Sequence, residues 1–99
     1  RFDYNCNSGT DIYGVIEEVD GRTVVANVTI MVGDTGHRAI LHLDDAQLMA
    51  DTGDDCHELK MDDLAVGDHF SGREHNRPRG HALDRDMVFL IVDHRAERS

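Results

Sequence analysis

Histidines at positions 69, 75 and 81 recur every six residues, and Arg73, Arg77, Arg79 and Arg85 stand among and beyond them. No other stretch of the chain is better equipped for recognition chemistry. Guanidinium forks match phosphate and carboxylate oxygens in pairs, and imidazoles add donors or metal ligands. If residues 76–80 form the connecting loop of a hairpin, His75 and His81 face each other with β-carbons roughly 5 Å apart. At that separation two imidazoles, joined by a carboxylate such as Glu74 or Asp84, would suit zinc or copper. The arginines argue against such an occupant, because a divalent cation among guanidiniums is repelled where an anion is attracted. Arg73, His75, Arg77, Arg79 and His81 are therefore the expected ligand-binding set, contacting a protein or an anionic ligand. A zinc or copper site on His75 and His81 is the alternative.

This basic stretch begins where an acidic one ends. Residues 44–68 carry nine carboxylates against one base, Lys60. They do not follow the alternating oxygen-ligand spacing, central glycine and closing glutamate of an EF-hand calcium loop, so a hydrated acidic face is expected. Ten basic and twenty acidic residues leave a net charge of −10, which repels nucleic acid and anionic membrane at long range. Single-strand binders also stack bases on exposed rings, and the aromatic residues are few: Phe2, Tyr4, Tyr13, Phe70 and Phe89, with Phe70 and Phe89 expected in the core. Nucleic acid is thus a disfavoured partner. Aspartate outnumbers glutamate fifteen to five and arginine outnumbers lysine nine to one, a bias resembling proteins of salt-loving organisms or of very GC-rich genomes.

Catalytic patterns are weak. Asp-Thr-Gly occurs at 34–36 and 51–53, which invites comparison with retroviral aspartic proteases, where two carboxylates share a proton and activate water. Asp51-Thr52-Gly53 is followed by Asp54 rather than a small residue, and no glycine follows the late apolar pair Ile91-Val92. Aspartate and glycine are favoured turn residues, so both copies read as turns. Ser8, Ser71 and Ser99 have no evident histidine and acid partners, and no glycine-rich phosphate loop is present. The expectation is a non-enzymatic binding domain.

Positioning falls to short β elements. Residues 12–18 and 23–31 are rich in β-formers, and Asp20-Gly21 between them signals a tight hairpin. Val24, Ala26, Val28 and Ile30 share one face by period-two alternation. Residues 38–43 read as a third strand, and Asp44-Asp45 as the cap of a short helical turn through Ala50. Val66-Gly67-Asp68 turns the chain into a strand at 69–74, and a long last strand spans 82–93. The chain is expected to fold as a single domain over residues 1–99, with 1–10 an irregular lead-in. Its fold class is all-β: a small five- to six-stranded antiparallel barrel or meander with one short helical connection. The order strand, Val-Asp-Gly turn, strand, third strand, then Asp63-Leu64-Ala65-Val66-Gly67-Asp68 before another strand resembles small extracytoplasmic OB-type barrels. The copper chaperones among them pair methionines with a histidine and a tryptophan, and this chain has no tryptophan.

Cys6 and Cys56 either close a disulfide or remain two thiols in a reducing compartment. A disulfide would close a loop of about 50 residues, worth roughly 4 kcal/mol in the chain-entropy model, and would place the protein in an extracytoplasmic or secreted setting. The longest apolar run, 87–92, is a strand's length and far short of a membrane-spanning segment. Oligomeric state leaves no mark in the sequence.

Overall fold

The computed structural model describes residues 4–29, 35–75 and 83–94. Within them the chain forms seven strands: β1 (Ile12–Asp20), β2 (Thr23–Thr29), β3 (His37–His42), β4 (Gln47–Asp51), β5 (Cys56–Glu58), β6 (His69–Glu74) and β7 (Asp84–Asp93). A 3-10 turn at Met61–Asp63 is the minor helical element between β5 and β6.

β1 and β2 form the expected hairpin, with Asp20 opposite Thr23 and a two-residue loop between them. Gly21, the first loop residue, has φ +60. A two-residue hairpin loop needs positive φ there if its twist is to match the right-handed twist of the strands. Val24, Ala26 and Val28 are buried as the alternation requires, and Asn27 between them is exposed; Ile30 lies outside the described residues. Between Ile16 and Glu18 the register shifts at a bulge, which bends β1. Ile16 then bonds across to the turn before β6: its amide donates to the Asp68 carbonyl at 2.9 Å, and its carbonyl accepts from Gly67 at 2.8 Å.

The sheet runs β3-β2-β1-β6-β7, and an additional β3–β7 pairing closes it into a five-stranded barrel. That closing pair is parallel, Ile40–His42 against Asp84–Asp86, whereas β1–β2, β2–β3, β1–β6 and β6–β7 are antiparallel. This is the small all-β barrel expected, with parallel pairs β3–β7 and β4–β7 where wholly antiparallel pairing was expected. Inside it pack Ile12, Ile16, Val24, Leu41, Phe70 and Leu90, with Met87 and Val92 from β7. Gly72 is inseparable from this closure. A β-carbon built there would lie 2.6 Å from the Phe89 carbonyl oxygen and 2.8 Å from the Met87 methyl, so β6 and β7 approach more closely than any side chain permits.

The helical turn expected at 44–50 is not formed; residues 47–51 are strand β4 instead. β4 lies parallel to the second half of β7, from Gln47 opposite Phe89 to Asp51 opposite Asp93. β3 and β4 thus follow one another along the same edge of β7, and the four residues between them suffice because no crossover is needed. Leu48, Met49 and Ala50 are all buried. Leu48 faces the barrel core and Met49 a second apolar cluster outside it. A strand covered on both faces reads as a continuous apolar run, which periodicity cannot separate from a helix.

The turn at 51–55 joins β4 to β5. Asp51 accepts the Gly53 amide through its side chain at 2.9 Å, and Thr52 and Asp55 exchange further bonds. This copy of Asp-Thr-Gly is a turn. After β5, Leu59 and Met61 pack against the core and Leu64 joins it. The Lys60 amide donates to Asp63 Oδ2 at 2.9 Å, steadying the 3-10 turn. Cys6 and Cys56 form a disulfide with 5.9 Å between α-carbons. Among the described residues no helix is long and apolar enough to cross a membrane.

Candidate functional site

β6 is the strand on which the charge reversal turns. At one end of the barrel the start of β6 lies beside the end of β7; at the other the end of β6 lies beside the starts of β1 and β7, and β3 ends at His42 opposite Asp86, only three residues into β7. The acidic connection 52–55 leaves from the first end and 59–68 leads into His69 there, whereas 43–46 runs beside β7 between the levels of Asp86 and Phe89. The chain then enters β6 at His69 and leaves it at Glu74. Five residue steps of about 3.3 Å carry it roughly 17 Å along the barrel, so Arg73 and His75 emerge at the second end. Arg77, Arg79 and His81 lie outside the described residues.

Arg73 is half-buried, and its guanidinium is held from two sides. Its Nε donates to the Gly9 carbonyl at 3.1 Å, and its central carbon stands 5.5 Å from the centroid of the Phe89 ring. A guanidinium has five N–H donors, so these contacts orient the fork and occupy one donor. His75 is exposed, and its amide donates to the Asp86 carbonyl at 2.9 Å.

That bond fixes where His75 meets β7. The β6–β7 register runs Arg73 opposite Phe89 and Glu74 opposite Met87, with a bulge that absorbs Val88. His75 therefore meets the backbone at Asp86, while its expected partner His81 lies outside the described residues. The described part of the last strand, β7, begins at Asp84 after a turn residue, Leu83. Among the described residues no group of three or more His, Cys, Asp and Glu side chains is arranged to hold a metal ion.

Carboxylates at this end of the barrel are engaged internally. Glu74 pairs with Arg85, Nη1 lying 3.1 Å from Oε1 and 3.4 Å from Oε2. Asp84 Oδ1 is 3.0 Å from His42 Nε2. Asp11 Oδ1 accepts the Glu74 amide at 3.1 Å. Of these, the Arg85 pairing offsets the charge of Glu74, the residue next to Arg73 in the chain. Arg85, which belongs to the basic stretch by sequence, serves as the structural partner of Glu74; its Nε is buried with no hydrogen-bond partner.

Sequence reasoning grouped the basic residues but missed the groups that hold them. Gly9, Asp11, His42 and Phe89 are distant in the chain from the residues they contact, and none carries a motif. Phe89 is fully buried as expected, yet it belongs to the outer cluster with Met49 and Ile91 and not to the barrel interior. No protein-family model, curated protein or solved structure matches the chain, so its chemistry is read from these residues alone.

Proposed function

We propose that the protein is a non-enzymatic binding domain that contacts a protein or an anionic ligand through the Arg/His segment 69–85. Arg73, His75, Arg77, Arg79 and His81 are the contributing residues. The observation that carries this reading is the placement of charge along β6: the acidic connections 52–55 and 59–68 lie toward its start, and Arg73 and His75 lie toward its end, where Glu74 is paired with Arg85. An anion approaching that end meets the donors of Arg73 and His75, away from the acidic connections 52–55 and 59–68. A guanidinium already oriented by Gly9 and Phe89 loses less freedom on binding than a free one. The disulfide and the lack of a spanning helix among the described residues support an extracytoplasmic setting for such a domain.

Calorimetry with sodium pyrophosphate and with an acidic polyglutamate peptide, at low ionic strength, tests the reading. Neutralising Arg77 and Arg79 together should weaken binding by at least about tenfold, since each charge-assisted bond is worth about 1.5–3 kcal/mol, while Tm stays unchanged. Full retention of binding would sink the proposal. Zinc titration followed by histidine NMR is the companion measurement, because paired shifts at His75 and His81 would identify a metal ligand instead.

A further inference from the structure

The described part of the lead-in, residues 4–10, contains no strand or helix, yet it is fastened across the outside of the barrel. The Tyr4 amide donates to Gln47 Oε1 at 3.2 Å, and Gln47 Nε2 donates to the Tyr4 carbonyl at 2.9 Å. The Tyr4 and Phe89 ring centroids are 4.8 Å apart. Cys6 is bonded to Cys56, and the Gly9 carbonyl holds Arg73. The segment covers Met49, Phe89 and Ile91, a cluster separate from the barrel core. The five barrel strands close on one another without it.

We propose that residues 4–10 form a redox-locked strap: the Cys6–Cys56 bond holds them over Phe89 and Arg73, and its reduction lifts them while the barrel stays folded. Without the crosslink, the contacts that tie this irregular segment to the barrel among the described residues are the Tyr4–Gln47 bond pair, the Tyr4–Phe89 ring contact, the Cys6–Ala50 contact and the Gly9–Arg73 bond, and a surface segment with no strand or helix opens locally more readily than the core strands. Both cysteines are partly exposed, so a dithiol reductant can reach them. Its thiolate attacks one sulfur and expels the other as a thiolate; its second thiolate then closes the reductant's own disulfide. Two electrons and two protons pass to Cys6 and Cys56. Release uncovers the Phe89 face and removes the Gly9 acceptor from Arg73. The consequence for Arg73 as an anion donor rests on the function proposed above; the release itself does not.

Amide exchange by NMR, on the intact chain with and without dithiothreitol, reads the release directly. The amides of Tyr4, Asn5, Asn7 and Ser8 are hydrogen-bonded in the strapped state. On reduction they should exchange at least about tenfold faster, while Val24 and Ala26 in β2 keep their folded-state chemical shifts, as expected of a local opening. The double variant Cys6→Ser/Cys56→Ser should reproduce this pattern without reductant. Unchanged strap amides, or β2 shifts that collapse to unfolded values, would overturn the proposal. Sodium pyrophosphate affinity that differs between the two states would extend release to Arg73. No pyrophosphate binding in either state would count against the proposed function and not against the strap.

Discussion

Replacing Glu74 with glutamine should destabilise the barrel by about 2 kcal/mol, because it strands Arg85 in a site built for an ion pair. Opposite charges about 3.5 Å apart attract by roughly 5 kcal/mol at an effective dielectric of 20, and desolvation offsets most of that. Both side chains are only 21% exposed, so the lost partner is not fully replaced by water. The cost therefore falls short of the roughly 3–5 kcal/mol of a wholly buried pair. Arg85→Met should cost less, about 1 kcal/mol, since it also removes the buried Nε that has no partner and replaces it with apolar volume. The double variant should then resemble Arg85→Met, giving a coupling near 2 kcal/mol. Urea unfolding of the four proteins with the disulfide intact measures each term. A Glu74→Gln protein within about 0.5 kcal/mol of the parent, or a coupling below that figure, would refute the argument. It would mean that the 3.1 Å contact is exchanged for water at no cost.

Two further outcomes follow from the packing and the charge. Gly72→Ala forces a β-carbon against the Phe89 carbonyl and the Met87 methyl, and as an overpacked site it should lose about 1–3 kcal/mol in urea unfolding; an unchanged midpoint would contradict the close approach of β6 and β7. Raising sodium chloride from about 0.1 M to about 1 M shortens the Debye length from about 10 Å to about 3 Å, so self-repulsion within a chain of net charge −10 weakens. Tm should rise, and a flat profile would show that the acidic connections are already far enough apart.

The sequence by itself determined the local elements whose signals are local. Asp20-Gly21 specified the first hairpin, the alternation Val24, Ala26, Val28 specified its buried face, and Val66-Gly67-Asp68 placed the start of β6 at His69. Turn chemistry and period-two patterning act over a few residues, so they are readable without partners. Likewise the reversal from acidic to basic residues was plain in composition. Tertiary structure decided what depended on distant contacts. β4 is a strand and not a helix because β7 lies along it and β5 covers its other edge. The parallel β3–β7 pair that closes the barrel joins residues more than forty positions apart. Local sequence carries no record of which strands will meet, nor of a one-residue bulge that sets His75 against Asp86. Arg85 was likewise assigned its role by Glu74, and Arg73 its orientation by Gly9 and Phe89. Long-range packing turns a run of like charges into one structural ion pair and one oriented donor, because only packing sets which charges lie close enough to interact.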